Sequence, residues 1–324
     1  NSRGLTNTMK SKDSIAARDL VNVNSTVVFA APDKGSDQCP SCRSRASRFA
    51  QHVAEGFKIR KCLSCGLAFH TEFSNEQELR DYYTHYYRED NLAFSPITEA
   101  RFQSLVSTFE HYRATNHMLD VGCGSGHFLK VAMEKGWGAF GTEIASGAFD
   151  QLAKLGINSF CGKLESANYA GEFFDVVYCS EVIEHLLDPT TLLREIARIL
   201  RPGGLLYLTT PNFNSLSRRL LASRWRVFSK EHICYFTPAS LAGATGEAGF
   251  RKVAVNTRNI DPNEIKKAFS RKPVEAGAGF QAAETEELRE RIETMPALKL
   301  AKNIANLLLR ATGTGDTIVV WAEK

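Results

Sequence analysis

Four cysteines stand in two C-x-x-C pairs, Cys39/Cys42 and Cys62/Cys65, with nineteen residues between the pairs. Each pair presents two thiolates on a tight turn, and two such turns complete a tetrahedral Zn²⁺ site closed by sulfur, the form of a structural metal. Arg43, Arg45, Arg48, Lys58, Arg60 and Lys61 partly offset its double negative charge. A redox role is disfavoured, because neither pair opens a helix after a strand. The remaining cysteines, Cys123, Cys161, Cys179 and Cys234, are scattered through the expected core, where free cysteine is common.

A second constellation runs from Leu119 to Gly126 as LDVGCGSG. Asp120 closes a hydrophobic run, and Gly122, Gly124 and Gly126 make a turn on which a ligand can lie directly against backbone. The helix that follows aims its free N–H groups at whatever occupies the turn. Glu143, ending the next strand, is a carboxylate able to accept two hydrogen bonds from a ribose diol. Together these residues describe a nucleoside site. A third constellation is Glu231 and His232 with Tyr235 three residues on. Histidine titrates near neutral pH, so His232 is the first choice for a general base, with Glu231 to orient it. Arg218, Arg219, Arg224, Arg226 and Lys230 precede it and suit an anionic substrate, although such a run is more often a solvated face.

The glycine spacing separates two kinds of nucleoside fold. A dinucleotide fold requires G-x-G-x-x-G, with its third glycine where this chain has His127. The G-x-G-x-G spacing, with an acidic residue two before it, resembles motif I of the class I S-adenosylmethionine-dependent methyltransferases. FFDVVYCS (173–180), EVIEHLLDP (181–189) and RPGGLLYLTTP (201–211) resemble motifs II and III of that superfamily. Together with EHICYFTPASLAGATGEAGF (231–250), they resemble the branch that holds small-molecule and ubiquinone-pathway O-methyltransferases. The resemblance covers residues 36 to 324. It implies that Asp120, Gly122, Cys123, Gly124 and Gly126 surround the methionine part of S-adenosylmethionine and that Glu143 holds the ribose. It further implies that Ile144 packs on adenine, that Leu164 lies beside it without the family's usual aspartate, and that Ser180 closes the pocket.

Glu181, Glu184 and His185 form E-x-x-E-H, similar to a cluster proposed to hold a divalent ion in ubiquinone-pathway enzymes. Such an ion, Mg²⁺, would lower a hydroxyl's pKa. The metal-free reading is preferred, since the E-H pair also lines the pocket of metal-free relatives and carboxylates suit a helix start. An E-H-x-x-Y-F element like that at Glu231 lines the active site of nucleotide-sugar C-methyltransferases, which also carry an N-terminal zinc module. The expected activity is therefore O-methylation of a small molecule or sugar, with C-methylation of a nucleotide-linked keto-sugar as the alternative. Against the alternative, those enzymes carry a further C-terminal domain. An RNA methyltransferase is disfavoured because CSEVIEH replaces the [DNS]-P-P-[YFW] that holds a base amine. A binding protein on the same scaffold ranks last, because Asp120, the three glycines and Glu143 are all in place.

These residues need a framework. The chain has 324 residues, 43% of them apolar, enough for one full core with an appendage. Its net charge of +4 says little about partners. No apolar run reaches membrane-spanning length and no signal peptide opens the sequence, so a reducing cytoplasmic setting is expected. The reading is a flexible tail over 1–35, a zinc-ribbon-like module over 36–73, a helical lid or linker over 74–114, and a methyltransferase domain over 115–324. In the linker, Ser74 caps a helix bearing Tyr82, Tyr83, Tyr86 and Tyr87. Alternating strands and helices from 117 to 250 predict a Rossmann-like α/β sheet, with further strands over 251–258 and 317–323. By the resemblance, the sheet has seven strands and the last is antiparallel. An insertion over 260–310, helical in its later part, either covers the site or joins two copies of the chain.

Overall fold

The computed structural model describes residues 38–53, 56–70, 96–260 and 295–324. The expected tail, the tyrosine-bearing helix and the insertion up to residue 294 lie outside the described residues. Three short strands come first: β1 (Ser47–His52), β2 (Lys58–Cys62) and β3 (Ala68–His70). Next come β4 (His117–Val121), β5 (Gly138–Glu143), β6 (Asn158–Cys161), β7 (Phe174–Ser180) and β8 (Leu200–Pro211). The two-residue β9 (Cys234–Tyr235) precedes β10 (Lys252–Arg258) and β11 (Thr317–Glu323).

Seven of these strands form one sheet in the order β10-β11-β8-β7-β4-β5-β6. Strands β4 to β8 pair in parallel, and β11 lies antiparallel to both β8 and β10. The antiparallel last strand is as expected. Every residue of β7 except Ser180 is buried, as befits a central parallel strand covered on both faces.

The covering helices are α1 (Pro96–Phe109), α2 (His127–Glu134), α3 (Phe149–Lys154), α4 (Pro189–Ile199), α5 (Leu216–Leu221), α6 (Pro238–Glu247) and α7 (Pro296–Thr312). Helix α4 starts where Asp188 accepts the Thr191 N–H at 3.1 Å and Pro189 fits the first turn. It buries Leu192, Leu193, Ile196 and Ile199 against the sheet. Among the described residues, no helix is long and apolar enough to cross a membrane.

Asp175, inside β7, is a structural carboxylate. It accepts the N–H groups of Ala114, Thr115 and Asn116 and pairs with Arg201. Burial opposes its charge, but these donors outweigh burial and hold its pKa below the usual carboxylate range. The contacts tie the entrance of β4 to its neighbour β7.

The second sheet has the order β1-β2-β3-β9, so the cysteine-bearing strands are completed by a strand from the far side of the chain. Ala68 pairs with Tyr235 and Phe69 with Cys234. One face buries Cys39, Cys62, Leu67 and Phe69 in the main core with Ile233 and Phe236. The other packs Val53, Phe57, Ile59 and Ala68 on Phe213, Leu221, Trp225 and Tyr235. The module therefore shares its core with the larger sheet on one side and with the segment from Phe213 to Tyr235 on the other.

Candidate active site

The glycine turn sits between the end of β4 and the start of α2. Gly122, Gly124 and Gly126 all have positive φ, at 72°, 52° and 78°. Thr142 on β5 accepts the N–H groups of Gly122 and Cys123 at 2.8 and 3.0 Å, holding the turn against the sheet. The glycines serve different ends. A Cβ at Gly122 would meet Val182 Cγ2 at 2.6 Å, and one at Gly126 would meet Ile157 and Leu152 at 2.6 Å. At Gly124 nothing lies within 4 Å, so here bare backbone faces open space. That cradle suits a ligand pressed against the chain.

Glu143 closes the cradle from β5. Its carboxylate accepts the N–H groups of Gly124 at 2.9 Å, Ile144 at 2.7 Å and Ala145 at 2.8 Å. A carboxylate has about four acceptor positions. Two ribose hydroxyls would thus displace one of these bonds, and Gly124 N–H is the partner nearest the open cradle. Asp120 is buried, and burial, reinforced by Glu143, pushes its carboxyl well above the ordinary range. A cationic ammonium group beside it would favour ionisation. Ile144 is 38% exposed, an apolar side chain standing free at the strand end. Cys123 turns inward, since a Cβ at Gly141 would meet its Sγ at 2.6 Å. Leu164 is 2% exposed, with its side chain in the main core, which leaves only its backbone to face a ligand.

The ends of β7 and β8 carry the other half. Ser180 and Thr209 share a hydroxyl–hydroxyl bond of 2.8 Å, and Thr209 donates to Glu181 at 3.0 Å. Thr210 donates to Glu184 Oε2 at 2.9 Å. Glu184 is 2% exposed, and among the described residues its Oε1 has no hydrogen-bond partner. Burial, then the neighbouring Glu181, pushes the Glu184 carboxyl well above its usual range. Sequence reasoning passed over Thr209 and Thr210, though hydroxyls at the carboxyl end of a buried strand are a readable signal.

Two imidazoles join this group. His185 and His232 lie with ring centroids 4.6 Å apart, and single ligand atoms of Glu184, His185 and His232 fall within 4.8 Å of one another. His185 Nδ1 lies 3.0 Å from Glu231 O, and His232 Nδ1 lies 2.6 Å from Val227 O. A carbonyl only accepts, so in the neutral rings each Nδ1 carries the proton and each Nε2 keeps a lone pair. Burial pushes His185 down to about 3, with His232 contributing, and burial also lowers His232. Glu231 orients His185 through its backbone carbonyl. Tyr235 stays out of the cluster: it is 2% exposed, its hydroxyl donates to Ser229 O at 3.3 Å, and its ring is 6.4 Å from His232. Within the arginine run, Arg218 is half-buried over the Phe213 ring and donates to Gln51 at 3.1 Å.

The four cysteines converge as the spacing requires. Cys39 and Cys65 sulfurs are 3.5 Å apart, as are those of Cys42 and Cys62, and all four lie within 4.8 Å of one another. Sulfurs bound at about 2.3 Å to one tetrahedral ion stand about 3.8 Å apart, so the set fits Zn²⁺. Burial opposes ionisation of Cys62, but the Cys65 and Ser64 N–H groups bring its thiol down to about 7. Burial raises Cys42, and the Cys39 sulfur and burial raise Cys65, so without an ion the four thiols do not ionise alike.

A doubly wound sheet with a glycine cradle at one strand end and an acid–imidazole cluster at the next defines a nucleoside-dependent enzyme architecture. The chain belongs to the family described as "Methyltransferase domain", whose pattern matches residues 83–255, more than half of it. Similar proteins include the ubiquinone biosynthesis O-methyltransferase of Parvibaculum lavamentivorans, 35% identical over 143 residues, covering 41% of this chain and 51% of that one. That of Idiomarina loihiensis is 29% identical over 160 residues, covering 45% and 65%. The chain thus spans about half to two thirds of the length of these relatives. Among solved structures, a SAM-dependent methyltransferase from Archaeoglobus fulgidus aligns over 75% of this chain and 100% of that one, at 20% identity and a TM-score of 0.49.

Proposed function

We propose that this protein transfers the methyl group of S-adenosylmethionine to a hydroxyl of a small molecule or sugar, with His232 as general base. The observation that carries the reading is the pair of imidazoles whose Nδ1 protons are tied to main-chain carbonyls, one of them following β7, the strand paired with β4 that leads into the glycine cradle. When bound, the sulfonium supplies an electrophilic methyl group and a neutral thioether leaving group. Asp120 and the Gly122–Gly126 turn would hold its amino-acid part, Glu143 the ribose and Ile144 the adenine. The fit rests on the open space at Gly124 and the carboxylate closing it.

The chain's own task is alignment and proton removal. His232 Nε2 takes the acceptor's hydroxyl proton while the oxygen forms its bond to the methyl carbon. His185, pushed to about 3 by burial and by His232, is too weak a base for this and stands as a neutral neighbour of the His232 ring. Glu184, held by Thr210, offers its open Oε1 as a hydrogen-bond partner for a second hydroxyl of the acceptor. The exposed Arg219 and Arg226 favour an acceptor with a negative group. The four cysteines would hold one structural Zn²⁺, with no part in the chemistry.

The test is a transfer assay with labelled S-adenosylmethionine against catechols and nucleotide sugars, in wild type and His232→Gln. Transfer to oxygen that falls at least about a hundredfold in the variant, with S-adenosylhomocysteine affinity kept, supports the reading. A wild-type rate in the variant removes His232 as base.

A further inference from the structure

His70 ends β3, the last strand of the cysteine module, and lies 1% exposed. Its ring Nε2 and its backbone N–H both reach one short stretch of chain. Its Nε2 is 3.0 Å from Lys230 O, and its backbone N–H donates to Ile233 O at 3.3 Å. Lys230 and Ile233 flank the dipeptide Glu231–His232, so one residue of the module holds the carbonyls on both sides of the proposed base. The β3–β9 pairing continues this hold at Cys234 and Tyr235.

The same module reaches the other imidazole. Arg43, within the first cysteine turn, pairs with Asp188, the cap of α4, three residues after His185. Thr190 donates to Ser41 O at 3.5 Å. The His185 and His232 segments are thus both fastened to the cysteine module. The glycine cradle is fastened by a different set of bonds, from Thr142 and Glu143 on β5. Two halves of one site have two separate supports.

We propose that the cysteine module positions the acceptor half of the active site, and that His70 is the positioning residue through which it holds His232. The role rests on the proposed reaction, because it matters for turnover only if His232 touches the acceptor. His70, donating from Nε2 to Lys230 O, sets the height of the 230–233 segment. Without that donor, a buried carbonyl loses its partner and the segment shifts to find another. Shifts of about 1 Å in a catalytic group cost on the order of a hundredfold in rate.

The experiment compares His70→Gln, His70→Asn and His70→Phe in the full chain. Gln carries its amide nitrogen close to the position of Nε2, Asn is too short to reach Lys230 O, and Phe has no donor. The readouts are the imidazole signals of His185 and His232 in protein labelled with ¹⁵N-histidine, and the affinity for S-adenosylhomocysteine by calorimetry. Asn and Phe should move both signals and leave the affinity within about threefold, while Gln restores the wild-type signals. Turnover should fall at least about tenfold in Asn and Phe and recover in Gln. Unmoved His185 and His232 signals in folded Asn or Phe variants would overturn the proposal. Joint loss of the signals and of S-adenosylhomocysteine binding in both would also overturn it, because the module would then support the whole fold and not one half. Neither readout depends on the identity of the base. A wild-type rate in His232→Gln would therefore remove the reaction mechanism and leave the positioning result to be judged by itself.

Discussion

The two histidines behave as one chemical unit because burial keeps both neutral. A base must be unprotonated, and His232 is held below the ordinary imidazole value of 6.5. The acid limb of kcat/KM should therefore fall below pH 6.5, with a flat profile above it, in a pH–rate series. A limb above that value would point to another group. The same shifts act on stability. Unfolded imidazoles take up protons near pH 6.5, whereas folded His185 resists until about 3. Protonation therefore favours the unfolded chain as pH falls through that window. His185→Gln removes this penalty, so its melting temperature should gain on wild type as the buffer is taken from neutral to about pH 4. On the cofactor side, Glu143→Ala should weaken S-adenosylhomocysteine binding by about 1–3 kcal/mol in calorimetry. Part of that loss belongs to the three N–H groups the carboxylate now holds. At this scale the sequence was informative about types and less so about roles. Asp120, the glycines, Glu143 and the cysteines were legible from spacing. The burial of Tyr235 and Leu164 was not, because a strand of alternating or continuous apolar residues does not say which side chain meets the recess.

Elements convert those residues into a site. The three glycines look equivalent in sequence, yet the turn uses them differently. Gly122→Ala would drive a methyl into Val182 at a positive φ and should lower stability by about 1–3 kcal/mol in denaturant titration. Gly124→Ala meets no protein atom. It should lose only about 1–2 kcal/mol of stability from its backbone conformation while losing cofactor affinity more heavily. Equal affinity losses in the two variants would argue against Gly124 as the contact surface. Strands β10 and β11 lay within a residue of the expected 251–258 and 317–323. Strand β9 could not be read in this way. Two residues carry no periodicity, and their partner β3 stands more than 160 positions earlier in the chain.

The whole molecule is more integrated than its motifs suggest. Apolar residues from both faces of the cysteine sheet pack against the catalytic part. Heat should therefore unfold the module and the main sheet in one transition, and metal analysis should find about one zinc per chain. Chelation should lower that single midpoint by calorimetry, and two separate transitions would mean that the module folds alone. The sequence by itself determined the glycine turn, the convergence of the four cysteines and the alternation of strands and helices, since each depends on residue type at short, fixed spacing. Tertiary structure decided which histidines meet, which carboxylate is left with an open oxygen and what the cysteine module holds in place. Those outcomes depend on pairing and burial between segments far apart in the chain, and no local spacing encodes the distance between them.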